Sequence, residues 1–453
     1  MYIDLPKEVR LIISELCNRG FEAYAVGGCI RDSVIGRNPK DWDITTNAKP
    51  LEVKSVFRRT IDTGIKHGTV TVLIGKKPFE VTTYRLDGKY EDSRHPSEVT
   101  FTASLEEDLK RRDFTINAMA YNDREGLVDK FEGLKDLKEK KIRAVGNARE
   151  RFKEDALRIM RAVRFSAQLG FEIEEETFKA ISNEVENLRN ISAERIRDEL
   201  VKLLDSGHPE KLLTLSESGI TSVILPEFDK ELETGQNNKH HQYNVGIHTV
   251  EALKYSTVYD KELSDEDRTV LRFALLCHDM GKPLCHTTDE DGTDHFKGHA
   301  EVSVTLAGDI LKRLKFDNAS RDRILKLVKY HDHRKEASEV NIRKTIITIG
   351  EELMPLWFMI RRCDTMAQSV YIREEKLKEI ERFEEIYHKI IENKDCLSLA
   401  DLAVNGNDLI AYGIKPGKEI GEILNRMLEA VLEDPANNNR EYLMWLLHMI
   451  KYY

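Results

Sequence analysis

FEAYAVGGCIRD, Phe21 to Asp32, and KDWDI, Lys40 to Ile44, are the stretches whose reading decides the fold of the chain's first part. An apolar run that ends in paired glycines predicts a strand over Phe21 to Val26, a turn at Gly27 and Gly28, and a helix behind it. Glycine lets the backbone of that turn approach a phosphate chain, and the helix aims its free N–H groups at the same anion. Arg31 then clamps a phosphate oxygen. Asp41 and Asp43 stand two apart, so a strand through them sends both carboxylates to one face and Trp42 to the other. Two hard oxygen donors beside a phosphate suit magnesium, which binds through one or two carboxylates plus substrate phosphates. The chemistry implied is nucleotidyl transfer at an α-phosphorus. Each piece alone also fits a plain turn or a solvated strand edge; their order and closeness favour a site.

Outward from this stretch, a helix is expected over Pro6 to Asn18, and GTVTVLIG (Gly68 to Gly75) and PFEVTTY (Pro78 to Tyr84) read as adjacent strands. Arg85 to Phe101 is polar, carries Gly and Pro, and has no period, which predicts a long loop beside the site. From about Ala148 charged amphipathic helices take over, among them ARERFKEDALRIMRAVRFSAQLG and REEKLKEIERFEEIYHKIIENK. The fold class expected is α+β: a head with a small mixed sheet, then an all-α neck, body and tail. The pattern changes set boundaries at 1–139, 140–208, 209–370 and 371–453.

With 453 residues the chain has length for several domains and ample core. Its six cysteines show no CxxC pair and no disulfide-like spacing, so a reducing cytoplasm is the simplest location. The start lacks the basic and apolar regions of a signal peptide, and no stretch is apolar for long enough to span a bilayer. A net charge of -10 argues against indiscriminate coating of nucleic acid, while KRR at Lys110 to Arg112 and KRLK at Lys312 to Lys315 leave selective backbone contacts open.

LEEDLKRRDFTINAMAY, Leu105 to Tyr121, offers Arg112 to a sugar or phosphate. Asp113 and Asn117, four apart on a helix, would share a face and orient a ribose or cap a turn. In EDALRIMRAVRF, Glu154 to Phe165, Asp155 and Arg158 lie at i and i+3, and Arg161 and Arg164 continue the row. Arg158 matches the acceptors of cytosine or adenine and Asp155 matches their amine, whereas uracil and guanine would leave buried polar groups unmet. A protein template that selects C and A follows; a surface ion-pair ladder is the plainer reading of the same row.

These segments resemble the tRNA nucleotidyltransferase and poly(A) polymerase family, in particular bacterial-type CCA-adding enzymes. The likeness is carried by GGCIRD with DWDI, KYEDSRHPSEVTF, KRRDFTINAMA, FEGLKDLKEKKIRAVG, EDALRIMRAVRF and ISAERIRDEL, in that order along the chain. It implies a nucleotidyltransferase head, a neck that reads the base, and helical domains that grip the tRNA acceptor arm, with CTP and ATP as substrates and no nucleic-acid template. By motif position, Asp41 and Asp43 would hold magnesium. Gly28, Arg31 and Arg112 would contact the nucleotide, and Asp155, Arg158, Arg161 and Arg164 would line the base and triphosphate pocket. Glu80 stands where related polymerases carry a third carboxylate; it would be catalytic or would orient Arg85 or the loop. A poly(A) polymerase and an A-adding enzyme share these motifs and remain rivals, although the intact loop from Arg85 to Val99 argues against an enzyme that adds CC only.

Further on, His248, the adjacent pair His278 and Asp279, His299, His331 and Asp364 cluster on separate expected helices. The pattern resembles the HD phosphohydrolase superfamily. It implies a divalent transition metal held by His248, His278, Asp279 and Asp364, with His299 and His331 completing a second position. The activity implied is a phosphodiesterase or phosphatase, on 2′,3′-cyclic ends among others, or a scaffold that keeps the ligands. A chain that is chiefly an HD phosphohydrolase or nucleotide sensor with an inert head is the rival from another class. In the tail, Gly417 before KEIGEIL reads as a turn that seats an RNA phosphate or as a plain Pro-Gly turn.

Overall fold

β1 (Ala23–Val26) reads AYAV, and all four residues are buried because the strand runs near the middle of a seven-stranded sheet. The structure is a computed structural model and describes residues 1–87, 99–333 and 335–452. The other strands of the sheet are β2 (Asp43–Thr46), β3 (Thr60–Gly64), β4 (Thr69–Ile74), β5 (Lys77–Thr83), β8 (Met119–Asn122) and β9 (Gly126–Asp129), in the order β3-β4-β5-β2-β1-β8-β9. β6 (Arg85–Asp87) and β7 (Val99–Phe101) pair with each other in a separate antiparallel ladder. The long loop expected over Arg85 to Phe101 therefore has paired strands at its ends, and residues 88–98 lie outside the described residues.

α1 (Lys7–Asn18) buries Val9, Ile12, Ile13 and Leu16, one stripe at helical spacing, and packs beside β1. α2 (Gly28–Val34), α3 (Pro50–Val56), α4 (Leu105–Lys110) and α5 (Gly133–Glu139) complete the sheet-bearing part. Tyr24, Val26, Tyr84, Leu109, Ala118, Ala120 and Val145 form one core cluster there. Next come α6 (Ala148–Glu154), α7 (Leu157–Leu169), α8 (Glu175–Glu184) and α9 (Ala193–Leu204), with α6 against α8 and α7 against α9.

Three local expectations are corrected. Asp41 precedes β2 and only Asp43 belongs to it, because Asp43 pairs with Val26, where β1 ends at the Gly27 turn, and beyond that point Asp41 has no ladder partner on β1. The run around Asp155 is two helices: Asp155 is extended (φ -139°, ψ 102°), and its Oδ1 accepts from Leu157 N at 3.1 Å, so it starts α7 and does not ride on it. Asp113 and Asn117 sit on a tight turn, with a 3₁₀ segment at Thr115–Asn117, and still meet through Asn117 Nδ2 to Asp113 Oδ1 at 3.1 Å.

The chain forms two compact units, Met1–Asp229 and Lys230–Tyr453. The second is helical apart from a small ladder between Thr287–Thr288 and Asp294–His295. Its helix Val245–Tyr255 packs on Asp265–Cys277 and Met354–Ala367, and buried Trp357, Phe358 and Phe383 fill the space beyond. The last helices close on their own core of Leu409, Met427, Val431, Leu443 and Leu447. Among the described residues no helix is long and apolar enough to cross a membrane.

Candidate functional site

The antiparallel register pairs Val26 with Asp43, which sets the turn after β1 beside the start of β2. β5 runs parallel to β2 with Ile44 opposite Val81, so Glu80 lies alongside Asp43. Asp41, Asp43 and Glu80 are all exposed and line one cleft of about 610 Å³, together with Trp42 and Lys77. The chain crowded around Asp43 withdraws hydration from its carboxyl and raises its pKa; Arg112 pulls the other way and Asp41 adds to the rise. The oxygens of the three carboxylates are open to solvent but do not converge into a ligand triad among the described residues, so a metal here would depend on substrate oxygens to complete it.

At Gly27 the backbone takes φ 87° and ψ -134°, a conformation that only glycine adopts without strain. A Cβ there would stand 3.0 Å from Arg112 Nη1, so the bare turn also makes room for that guanidinium. Arg112 leans on Asp108 at 3.5 Å, and its Nε has no hydrogen-bond partner among the described residues. Asp108 was not singled out from sequence, yet it anchors this corner. It is fully buried, takes Arg111 at 2.9 Å and accepts from Thr45 Oγ1 at 3.1 Å. Burial pushes its carboxyl up, but Arg111 and Arg112 hold it below its ordinary value. The signal was legible in EEDLKRR, where Asp108 stands three and four residues before the arginines.

Arg31 is buried at 9% exposure and points inward, bonding Asp32 at 2.8 Å and, through Nη1, Asn117 Oδ1 at 2.8 Å. Asn117 continues to Asp113, which takes Arg161 Nε at 2.8 Å and Nη2 at 2.6 Å. Burial opposes ionisation of Asp113, and Arg161 with Asn117 still holds its pKa well below the usual range. Arg164 pairs with Glu199 at 2.7 Å; burial lowers its pKa although Glu199 opposes the fall. Asp155 takes Arg195 at 3.2 Å, while Arg158 bonds Glu154 at 2.7 Å and the carbonyl of Arg111 at 3.0 Å. The acceptor and donor assigned to base reading thus hold other partners: the row on one face becomes a set of ion pairs along the corridor from α2 to α9. Arg195 and Glu199 were not given roles from sequence because each needs a contact across helices to acquire one, and Glu154 was passed over although Arg151 and Arg158 lie three and four residues from it.

In the second unit the structure gathers all six residues named from sequence. His248 Nε2 lies 2.9 Å from Asp364 Oδ1 and 3.5 Å from Asp279 Oδ2, and His278 Nε2 lies 3.2 Å from the same Oδ2. The other oxygen of Asp279 is 3.4 Å from His299 Nε2 and 3.7 Å from His331 Nε2. Two ligand triads share Asp279: one with His248 and His278, the other with His299 and His331. His278, His299 and His331 each present Nδ1 to the carbonyl three residues upstream, at 2.6, 2.9 and 2.7 Å. With Nδ1–H donating there, each Nε2 turns inward, the arrangement of a metal-binding imidazole. Burial opposes protonation of His278, but Asp279 and Asp364 raise its pKa to about 9, whereas burial lowers His331 to about 4. Lys282, missed from sequence although it sits three residues after Asp279, bonds Asp279 at 2.6 Å and Gln236 at 2.8 Å. A cavity of about 620 Å³ opens over the cluster, with Lys239, His241, Phe296 and Lys297 among its walls.

Residues 23–143 match the family described as the poly A polymerase head domain. Residues 170–232 match the probable RNA- and SrmB-binding site of polymerase A, and 297–447 match the putative domain 2 of tRNA nucleotidyltransferase. The CCA-adding enzyme of Streptococcus pyogenes serotype M2 (strain MGAS10270) is 35% identical over 433 residues, 94% of this chain and 93% of that protein. Among solved structures, the Bacillus stearothermophilus CCA-adding enzyme in complex with CTP superposes with a TM-score of 0.73 at 28% identity, over 98% of this chain and 97% of that one. The Thermotoga maritima CCA-adding enzyme complexed with tRNA-CCA shares the fold, with a TM-score of 0.60 at 22% identity over 98% and 96% of the two chains. With the glycine turn, the carboxylate cleft and the arginine corridor in one unit and a relative this similar along nearly the whole length, the chain belongs to the CCA-adding enzymes, which are metal-dependent nucleotidyltransferases.

Proposed function

We propose that this chain adds CCA to the 3′ end of tRNA from CTP and ATP, in the cytoplasm, with the protein itself as template. The observation that carries this reading is the meeting of the Gly27 turn, Arg112, Asp43 and Glu80 at one end of the sheet. The four-part division at 139, 208 and 370 serves as the working domain map: head, base-reading neck, body and tRNA-gripping tail. Asp41 and Asp43, with Glu80 beside them, would hold Mg²⁺, which supplies charge neutralisation at the reacting phosphate and acidifies the attacking hydroxyl. The RNA 3′-hydroxyl attacks the α-phosphorus in line and gives its proton to an Asp carboxylate or to solvent, an O–P bond forms as the bond to pyrophosphate breaks, and pyrophosphate departs toward Gly28 and Arg31. Preorganised charge does most of the work in such a transfer. Asp155 and Arg158, with Arg161 and Arg164 behind them, would read the base after exchanging Arg195 and Glu154 for the nucleotide's own donors and acceptors.

The test is incorporation of each labelled nucleoside triphosphate, with magnesium, into tRNAs ending at the discriminator base, at C or at CC. Stepwise C, C and A with termination is expected. Addition of A to the CC form alone would replace this reading with an A-adding enzyme, and long A tails with a poly(A) polymerase.

The inward Nε2 atoms around Asp279 support a second activity, hydrolysis of phosphate esters at a divalent transition metal held by His248, His278, Asp279 and Asp364, with His299 and His331 toward a second ion. Such a metal supplies an acidified water. Phosphodiester cleavage that chelation abolishes and a transition metal restores is the expected result; activity unchanged by chelation would sink it.

A further inference from the structure

α7 carries Phe165 directly after Arg164 and four residues after Arg161, and its ring stands where three of the arginines assigned to the nucleotide converge. The guanidinium carbon of Arg164 lies 3.6 Å from the ring centre, that of Arg31 5.1 Å and that of Arg161 5.3 Å. Arg31 comes from α2 beside the sheet and the other two from the neck, so one aromatic ring is shared by the two halves of the site. Each guanidinium keeps one carboxylate partner, Asp32, Asp113 and Glu199 in turn, and Asn117 with Asp113 bonds Arg31 to Arg161 behind the ring.

Three like charges around one point repel, and each is drawn to a different carboxylate. An aromatic face attracts cations within about 6 Å, and Arg more than Lys, so the ring gives all three a common seat that an aliphatic side chain of similar size would not. Phe165 is 6% exposed, and its contact with Phe114 is T-shaped, with centroids 5.8 Å apart at 81°, so the two rings are not stacked face to face.

We propose that Phe165 is a positioning residue for nucleotidyl transfer, its ring aligning Arg31 from the head with Arg161 and Arg164 from the neck so that they engage one nucleoside triphosphate together. The proposal rests on the CCA-adding reading above. It is tested in the full-length protein with Phe165→Leu, with Phe165→Tyr, which keeps the ring, and with Phe114→Leu, which removes the ring–ring contact; among the described residues the Phe114 ring carries no cation contact with the three arginines. The readouts are KM and kcat for CTP on tRNA ending in C and for ATP on tRNA ending in CC, together with melting temperature.

Phe165→Leu should raise KM for both nucleotides about tenfold, with kcat within about twofold and KM for tRNA unchanged. Phe165→Tyr should keep wild-type KM, and Phe114→Leu should lower the melting temperature as much as Phe165→Leu without moving KM. Wild-type nucleotide KM in Phe165→Leu, or an equal rise in Phe114→Leu or Phe165→Tyr, would overturn the assignment. A wild-type protein that adds no nucleotide would overturn the activity itself and is told apart by that.

Discussion

Asp41, Asp43 and Glu80 stand exposed on the lip of a sheet, whereas His248, His278 and Asp279 are sealed to 1% exposure or less. The first set has no imidazole and no pinning side-chain hydrogen bonds among the described residues; in the second cluster His278, His299 and His331 are held by backbone carbonyls and the ligands by one another. Magnesium dehydrates reluctantly and is completed by substrate phosphates, so a site built for it need only offer oxygens on a rigid edge. A softer site must hold several nitrogens at fixed separations, which takes burial and outer hydrogen bonds. On the proposed reading, the contrast is between a magnesium site that its substrate would finish and a histidine site that its fold would finish.

The largest expected effect follows from the exposed set. Asp41→Ala or Asp43→Asn should cut nucleotide addition by at least about 10²–10³-fold, the loss that removal of one preorganised charge-stabilising group produces. Because both side chains face solvent, stability should move by no more than about 0.5 kcal/mol. Radiolabelled CTP incorporation and a melting curve check both halves; near-normal turnover, or a large drop in melting temperature, would break the comparison.

Next in size, Asp279→Asn removes the one carboxylate common to both histidine triads. Metal retained after dialysis should fall by more than the 10–100-fold typical of losing an outer-shell partner, while CCA addition persists. Elemental analysis of wild type and variant decides it, and equal metal content in the two would show that the buried cluster is no metal centre.

The same contrast explains what sequence could tell. The glycine turn, the acid pair and the His-Asp pair were legible because each is a short motif whose chemistry does not depend on what packs against it. The strand assignment over Asp41 failed because the end of β2 is set by its partner: β1 stops at Gly27, and no local signal in KDWDI marks that register. The helix drawn through Asp155 failed for a related reason, since helical periodicity on both sides concealed a capping carboxylate. Asp108, Glu199 and Lys282 went unassigned although each has a sequence-local partner. A buried charge is recognised only once its burial is known, and burial is a property of the assembled layers.

The smallest effect sharpens what burial alone does to a carboxylate. Asp113 is buried like Asp279, but its partner is Arg161, whose charge does not titrate in the accessible range, where Asp279 faces imidazoles that do. With its folded pKa held below the ordinary 3.8, Asp113 contributes stability that is present above about pH 4 and is lost as pH falls toward the folded value. Asp113→Asn should therefore cost on the order of 1.5–3 kcal/mol near neutrality, the range for a hydrogen bond to a charged group. The gap between wild type and variant should begin to narrow below about pH 4, where the unfolded chain's carboxyl takes up a proton that the folded one does not, and it should close only as pH approaches the folded value. Urea midpoints measured from pH 7 down to pH 3 give the curve. A gap that stays constant through that window would mean that Arg161 is held by shape and not by the Asp113 charge, and the arginine corridor would then owe its order to packing around Phe165 alone.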